Sequence, residues 1–149
     1  LHLQYIGENM TTKLICVLNN NIPENSNLRN EHGLSFWIEN DGGVILFDTG
    51  LTAPVLTHNL DALNLDKNRV TAIALSHAHL DHISAVFRLS SYYACPIFTT
   101  PYTNKIIKLK EEGNSFEEIV NAHPLAGLLT GEKYIPDRMF IYSVFYGHW

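Results

Sequence analysis

Four side chains able to ligate a metal ion fall within six residues of this chain: His77, His79, Asp81 and His82, in the run Leu75-Ser76-His77-Ala78-His79-Leu80-Asp81-His82. Neutral imidazole nitrogen and carboxylate oxygen are ligand types that divalent zinc and iron accept. Three histidines and an aspartate do not make a core, because buried polar groups need partners. A solvated surface run is not ordinarily built from histidine, nor fed by an apolar stretch such as Ala72-Ile73-Ala74-Leu75. Alternate residues of an extended chain point the same way, so His77 and His79 can converge on one ion. If the chain then turns into a helix, Asp81 and His82 swing to a different side. There they can serve a second ion of the kind that clamps substrate and nucleophile together.

The elements that must position this cluster are legible in outline. Lys13 to Leu18 reads as a strand, followed by a polar loop from Asn19 to Asn30. Ser35 to Glu39 is a second strand, Asn40-Asp41-Gly42-Gly43 a hairpin turn, and Val44 to Phe47 the return strand ending in Asp48-Thr49-Gly50. Pro54 to Leu65 spaces its apolar residues at helical intervals. Ala72 to Leu75 is a short buried strand, and Ile83 to Leu89 fits a helix with Val86 and Phe87 turned to the core. Ile97-Phe98 is a brief strand, Thr103 to Glu112 a helix closed by Gly113, and Ser115 with Glu118 a capping box. The end, Phe140 to Trp149, reads as an apolar strand. A strand meander followed by strand-helix alternation predicts a mixed α/β (α+β) sheet with helices on at least one face.

Composition narrows the field. A chain of 149 residues, 46% hydrophobic and 17% charged, is enough for one globular domain, 1–149. A formal charge of -5 gives no electrostatic case for nucleic acid or an anionic membrane. No apolar run approaches a membrane span, and the first residues lack the basic start of a signal peptide. Cys16 and Cys95 are too few for a disulfide framework, which points to a reducing cytoplasm. Both ends are abrupt, and the apolar finish predicts a domain truncated at its carboxyl end.

Taken in order, Glu31-His32-Gly33-Leu34-Ser35, then Phe47-Asp48-Thr49-Gly50, then His77-x-His79-x-Asp81-His82 resemble the metallo-β-lactamase superfamily. More narrowly they resemble its dihydropterin–ribofuranosylaminobenzene phosphate synthase-related branch. The resemblance is close from about Met10 to Leu89 and looser from Pro96 to Asp137. It implies an αββα sandwich, here its first half, with metal at one edge. His77 and His79 would bind a first divalent ion and Asp81 and His82 a second, with zinc the first choice and iron or manganese the others. Asp48 would sit beneath the site and orient ligands. A metal-bound hydroxide would be the nucleophile, with Asp81 helping to hold and deprotonate it. The substrate by analogy is a small molecule, phosphorylated or pterin-like.

The departures are as informative. The family needs a third histidine, a bridging aspartate and a final histidine from the second half of its chain. Here His148 is the remaining late candidate, without the small neighbours of the family pattern. His123 reads as a loop or pocket residue, and Asp137, beside Arg138, as a surface or salt-bridge position. Ser84-Ala85 replaces the usual glycine pair. Glu31 and His32 either line the site or fix a loop by hydrogen bonds. Trp37, Tyr92 and Tyr93 read as core or rim packing, and Lys105, Lys108 and Lys110 as a solvated face. Two functions stand side by side. One is a metal-dependent hydrolase. The other is a silent half-domain that needs a partner chain, or that self-associates through an uncovered sheet face.

Overall fold

The structure, a computed structural model, describes residues 2–7, 10–90, 92–124, 126 and 137–146. Its centre is a six-stranded sheet in chain order: β1 (His2–Gly7), β2 (Met10–Leu18), β3 (Ser35–Asn40), β4 (Gly43–Phe47), β5 (Val70–Ala74) and β6 (Ile97–Phe98). The first four strands are antiparallel, and β4, β5 and β6 run parallel. Asn40 pairs with Gly43 across the hairpin, so Asp41-Gly42 forms the two-residue turn that its sequence predicts. Parallel neighbours need crossovers. α1 (Ala53–Ala62) supplies the first, and α2 (Leu80–Ile83) with α3 (Val86–Ser90) the second. α4 (Pro101–Glu111), α5 (Phe116–Asn121) and α6 (Asp137–Tyr146) follow.

One sheet face is covered. Ile15, Val17, Trp37, Val44, Leu46 and Ile73 are buried there in a single core with Leu56 and Leu60 of α1 and Val86 and Leu89 of α3. The opposite face carries two cross-strand rows, Cys16–Phe36–Phe47–Ala74–Phe98 and Leu14–Ile38–Ile45–Ala72. Neither row contains a charged residue. Ile45 is 42% exposed and Phe98 61%. An antiparallel face meant for water ordinarily alternates polar residues outward, so this face has the composition of a sheet interior. The described residues therefore make one sheet with its helical layer, half of an αββα sandwich.

Local chemistry explains most of the elements. Thr100 caps α4 through Thr103 N–H, and Gly113 ends it at φ +90°. Ser115 and Glu118 form the predicted capping box on α5. Asn59, buried in α1, donates to Val17 O (2.9 Å) and Arg29 O (2.8 Å) and accepts from Arg29 N–H (2.8 Å). That one amide holds the 19–34 loop against β2 and α1.

Several expectations need correction. The terminal segment is not a strand: Asp137–Tyr146 is a helix that buries Ile141 and Val144, three residues apart, against α4 and α5. β1 was not foreseen, and β2 begins at Met10 rather than Lys13. The helix expected over Ile83 to Leu89 is two short ones broken at Ser84-Ala85, both buried. Val86 is buried as expected, while the side chain of Phe87 lies outside the described part. Trp37 is core, Tyr93 half-buried, and Tyr92 79% exposed at the rim. Two of the three lysines are not merely solvated: Lys105 donates to Pro124 O and Lys110 to Phe145 O, both at 2.8 Å. Arg138 pairs with Glu117 across the α5–α6 contact, which holds the Glu117 carboxyl below its usual range.

Candidate metal centre

The site gathers at the carboxyl ends of β4 and β5, adjacent parallel strands whose trailing loops meet. Asp48 leaves β4 at φ +57°, a left-handed conformation that aspartate tolerates better than most residues. Its N–H bonds Ala74 O at 2.8 Å, and Ser35 Oγ donates to its carbonyl at 2.8 Å. Thr49 N–H and Oγ1 both reach His82 O, at 2.7 and 3.0 Å. The two loops are thus stitched backbone to backbone before any side chain of the motif is considered.

The Asp48 carboxylate, 1% exposed, receives three donors. Ser76 N–H reaches Oδ1 at 2.8 Å, and Ser76 Oγ–H and His82 Nδ1–H reach Oδ2 at 2.7 Å each. A carboxylate only accepts, so the His82 proton sits on Nδ1 and Nε2 carries the lone pair. Ser76 has spent its hydroxyl hydrogen on Asp48. Its oxygen therefore accepts from His77 Nδ1–H at 2.8 Å, which frees the His77 Nε2 lone pair. That nitrogen faces His79 Nδ1 at 2.7 Å. A fixed tautomer with Nε2 presented outward is the usual preparation of a histidine ligand. Burial lowers the His77 pKa from 6.5, and the neighbouring His82 and His79 rings add to the effect, so the ring stays neutral near pH 7.

Asp81 Oδ2 lies 3.4 Å from His82 Nε2 and 3.5 Å from His32 Nε2. Two ligands on one tetrahedral ion stand about 3.3 Å apart, given metal–nitrogen distances of about 2.0–2.1 Å, so the Asp81–His82 pair already has that spacing. The His77–His79 nitrogens are closer than this and share a proton. To hold an ion they must part by roughly half an ångström, and His79 must carry its proton on Nε2. Accordingly, among the described residues no group of three or more His, Cys, Asp or Glu side chains is arranged ready to hold one ion. In donor chemistry the residues fit a divalent metal, and in geometry they need small ring rotations.

Glu31 and His32 part company. The Glu31 carboxylate accepts from Leu51 N–H (3.2 Å), Thr52 N–H (2.8 Å) and Thr52 Oγ–H (2.7 Å), which caps the start of α1 in place of any local side chain. It fixes a loop. His32 is largely exposed and faces Asp81. Gly33 explains the loop's sequence: at φ +132°, a Cβ there would lie 2.2 Å from Asp81 O, so only glycine lets the backbones approach. His123 sits in an exposed turn at φ +43°. His148 lies outside the described residues, as does the side chain of Asp137. Sequence reasoning missed Ser76 and Thr49, and their only signal was a place beside a recognised motif. A cleft of about 620 Å³ between α1 and the turn after α3 is lined by none of the motif side chains. Burial there pushes the Tyr93 hydroxyl up to about 12.

The sequence profile described as "Metallo-beta-lactamase superfamily" matches residues 28–141, and the chain belongs to that superfamily. It is 36% identical over 104 residues to a ribonuclease J of Pyrococcus abyssi, a match covering 56% of this chain and 23% of that protein. Over 110 residues it is 33% identical to a 7,8-dihydropterin-6-methyl-4-(beta-D-ribofuranosyl)-aminobenzene-5'-phosphate synthase of Methanocaldococcus jannaschii, covering 70% of this chain and 37% of that one. A solved metallo-beta-lactamase of Cronobacter sakazakii with a HARLDQ motif is 32% identical at a TM-score of 0.41, over 43% of this chain and 24% of that one. The chain spans well under half the length of the curated relatives it matches. No helix among the described residues is long and apolar enough to cross a membrane.

Proposed function

We propose that this chain is the metal-binding half of a metal-dependent hydrolase acting on a small molecule. The observation that carries the reading is the Asp48–Ser76–His77 and Asp48–His82 hydrogen-bond chain, which turns the Nε2 lone pairs of His77 and His82 away from Asp48, the first toward His79 Nδ1 and the second toward Asp81. His77 and His79 would hold a first divalent ion, zinc before iron or manganese on ligand type. Asp81 and His82 would hold a second. When bound, such an ion supplies Lewis acidity and makes water acidic near neutral pH. In this reading Asp81 takes a proton from the attacking water, and its closeness to His82 and His32 supports that role. Asp48 keeps the His82 ring oriented throughout. The free cysteines, Cys16 and Cys95, motivate a reducing, cytoplasmic setting.

The test is metal content per chain, by elemental analysis of protein purified without chelators and then offered zinc, manganese or ferrous iron. One or two ions are expected in the parent, with a clear loss in His79→Ala. A parent that holds none under any loading ends the reading for this chain.

A second reading is favoured by one observation, the uncharged apolar sheet face. In it the chain is silent alone, and the site is completed by a further segment or a partner chain that covers that face. It expects substrate turnover only after that complement is supplied.

A further inference from the structure

His82 gives its Nδ1 proton to Asp48, so its Nε2 lone pair is what stands 3.4 Å from Asp81 Oδ2. A carboxylate only accepts. Two acceptors therefore face each other, an arrangement that a cation between them relieves. The same carboxylate oxygen has a second imidazole nitrogen beside it, His32 Nε2 at 3.5 Å. A hydrogen bond between a charged nitrogen donor and a carboxylate closes to about 2.7–2.9 Å. Both separations are longer than that, and both lie near the spacing of about 3.3 Å between two ligands on one tetrahedral ion.

The backbone sets His32 in this place. Gly33 N–H donates to Asn20 Oδ1 at 3.0 Å, and Leu34 N–H donates to Asp81 O at 3.3 Å. Gly33 lies so close to Asp81 O that a side chain would not fit. The loop is thus tied to Asp81 one and two residues beyond His32. The neighbouring Glu31 carboxylate is spent on the start of α1. The His32 side chain itself stays 73% exposed, so its ring turns between rotamers without displacing packed neighbours. That small motion is what the site needs, because the groups around Asp81 do not yet point at one centre.

We propose that His32 is a third protein ligand, through Nε2, of the ion held by Asp81 and His82. Two imidazoles and a carboxylate are a donor set of catalytic zinc, which keeps one position open. The proposal rests on the metal-site reading. It adds that one ion receives three protein ligands from this half of the sandwich alone.

The experiment is a calorimetric zinc titration of the full chain beside His32→Ala and His32→Gln, with zinc counted by elemental analysis. Because His32 is exposed, the zinc-free variants should keep the parent's urea midpoint. Loss of a ligand should weaken one site by more than the roughly tenfold to hundredfold that an orienting partner is worth. In protein carrying heavy-nitrogen histidine, zinc should leave His32 Nε2 without a proton and move its resonance, identified by its absence from His32→Gln. Equal zinc affinity and count in parent and variants, or a His32 ring unmoved by zinc, overturns the ligand and leaves the hydrolase reading standing. A tenfold weakening with His32 Nε2 still protonated in the zinc-loaded parent also overturns it, since that is an orienting role. A parent that holds no zinc ends the metal reading and this proposal together.

Discussion

Asp48 and His82, thirty-four residues apart, are joined by a 2.7 Å hydrogen bond from Nδ1–H to Oδ2, and the same oxygen takes the Ser76 hydroxyl. The bond ties the end of one parallel strand to the helix that follows the next. It also settles which nitrogen His82 shows to the site. Replacing Asp48 by Ala takes the acceptor from three donors, two on the exposed Ser76 and one on the half-buried His82. A loss of about 1.5–3 kcal/mol is expected, the contribution of a hydrogen bond to a charged group, since Ser76 can turn to water. Urea denaturation of the zinc-free chain reads this directly. Metal affinity should fall roughly tenfold to a hundredfold through loss of the orienting acceptor, which calorimetric zinc titration measures.

Glu31→Ala separates a loop-fixing role from a ligand-contacting one. Removing the distant cap of α1 should cost about 1–2 kcal/mol, visible as an earlier urea midpoint. Metal stoichiometry should not change. A lost ion with unchanged stability would overturn the assignment.

Gly33→Ala tests the close approach of two backbones. The added methyl would sit 2.2 Å from Asp81 O at a φ that alanine resists, so the loop or α2 must shift. Destabilisation of roughly 2–4 kcal/mol is expected for strain of this kind. Asp81 should move with it, so any second ion is lost before the first. Equal retention of both ions would count against that geometry.

The pH dependence of the metal-free chain follows from His77. Burial first, then the adjacent imidazoles, make the folded ring hold its proton less tightly than the unfolded chain does at 6.5. Above pH 6.5 the folded state enjoys the full benefit. As the pH falls from there through the lowered pKa, the unfolded chain takes up a proton that the folded one refuses, and stability declines. Urea midpoints measured across this window should slope downward toward acid, and less steeply in His77→Gln. An identical slope in both proteins would remove His77 as the cause.

The uncharged sheet face makes a prediction about association. The parent should sediment increasingly as dimers or larger species with rising concentration, and Ile45→Lys with Phe98→Lys should restore the monomer. A parent that stays monomeric at high concentration means this face is not an association surface for a second copy.

What the sequence disclosed was what is local. The Asp41-Gly42 turn, the Ser115–Glu118 box and the close spacing of His77, His79, Asp81 and His82 are each written within a few residues, and each was legible. The end of the chain misled because Phe140 to Tyr146 is rich in aromatic and β-branched residues, which favour strands. What decides for a helix is that Ile141 and Val144 share a face against α4 and α5, a tertiary fact. Ser76 was invisible for the opposite reason. One serine beside a motif signals nothing until Asp48, twenty-eight residues earlier, comes within 2.7 Å. Glu31 stood evenly between two roles until its oxygens were found on Leu51 and Thr52.

The remote capping of α1 has a consequence for the order in which the chain acquires structure. The helix borrows its first-turn acceptor from a residue that precedes the whole β3–β4 hairpin. That hairpin, closed by a two-residue turn, forms on local contacts alone, and only its closure brings Glu31 within reach of Thr52. A nascent α1 should therefore fray at its start until the hairpin is in place. Ordering of the loop that begins at Asp48 and completion of the helix then become one late, cooperative event.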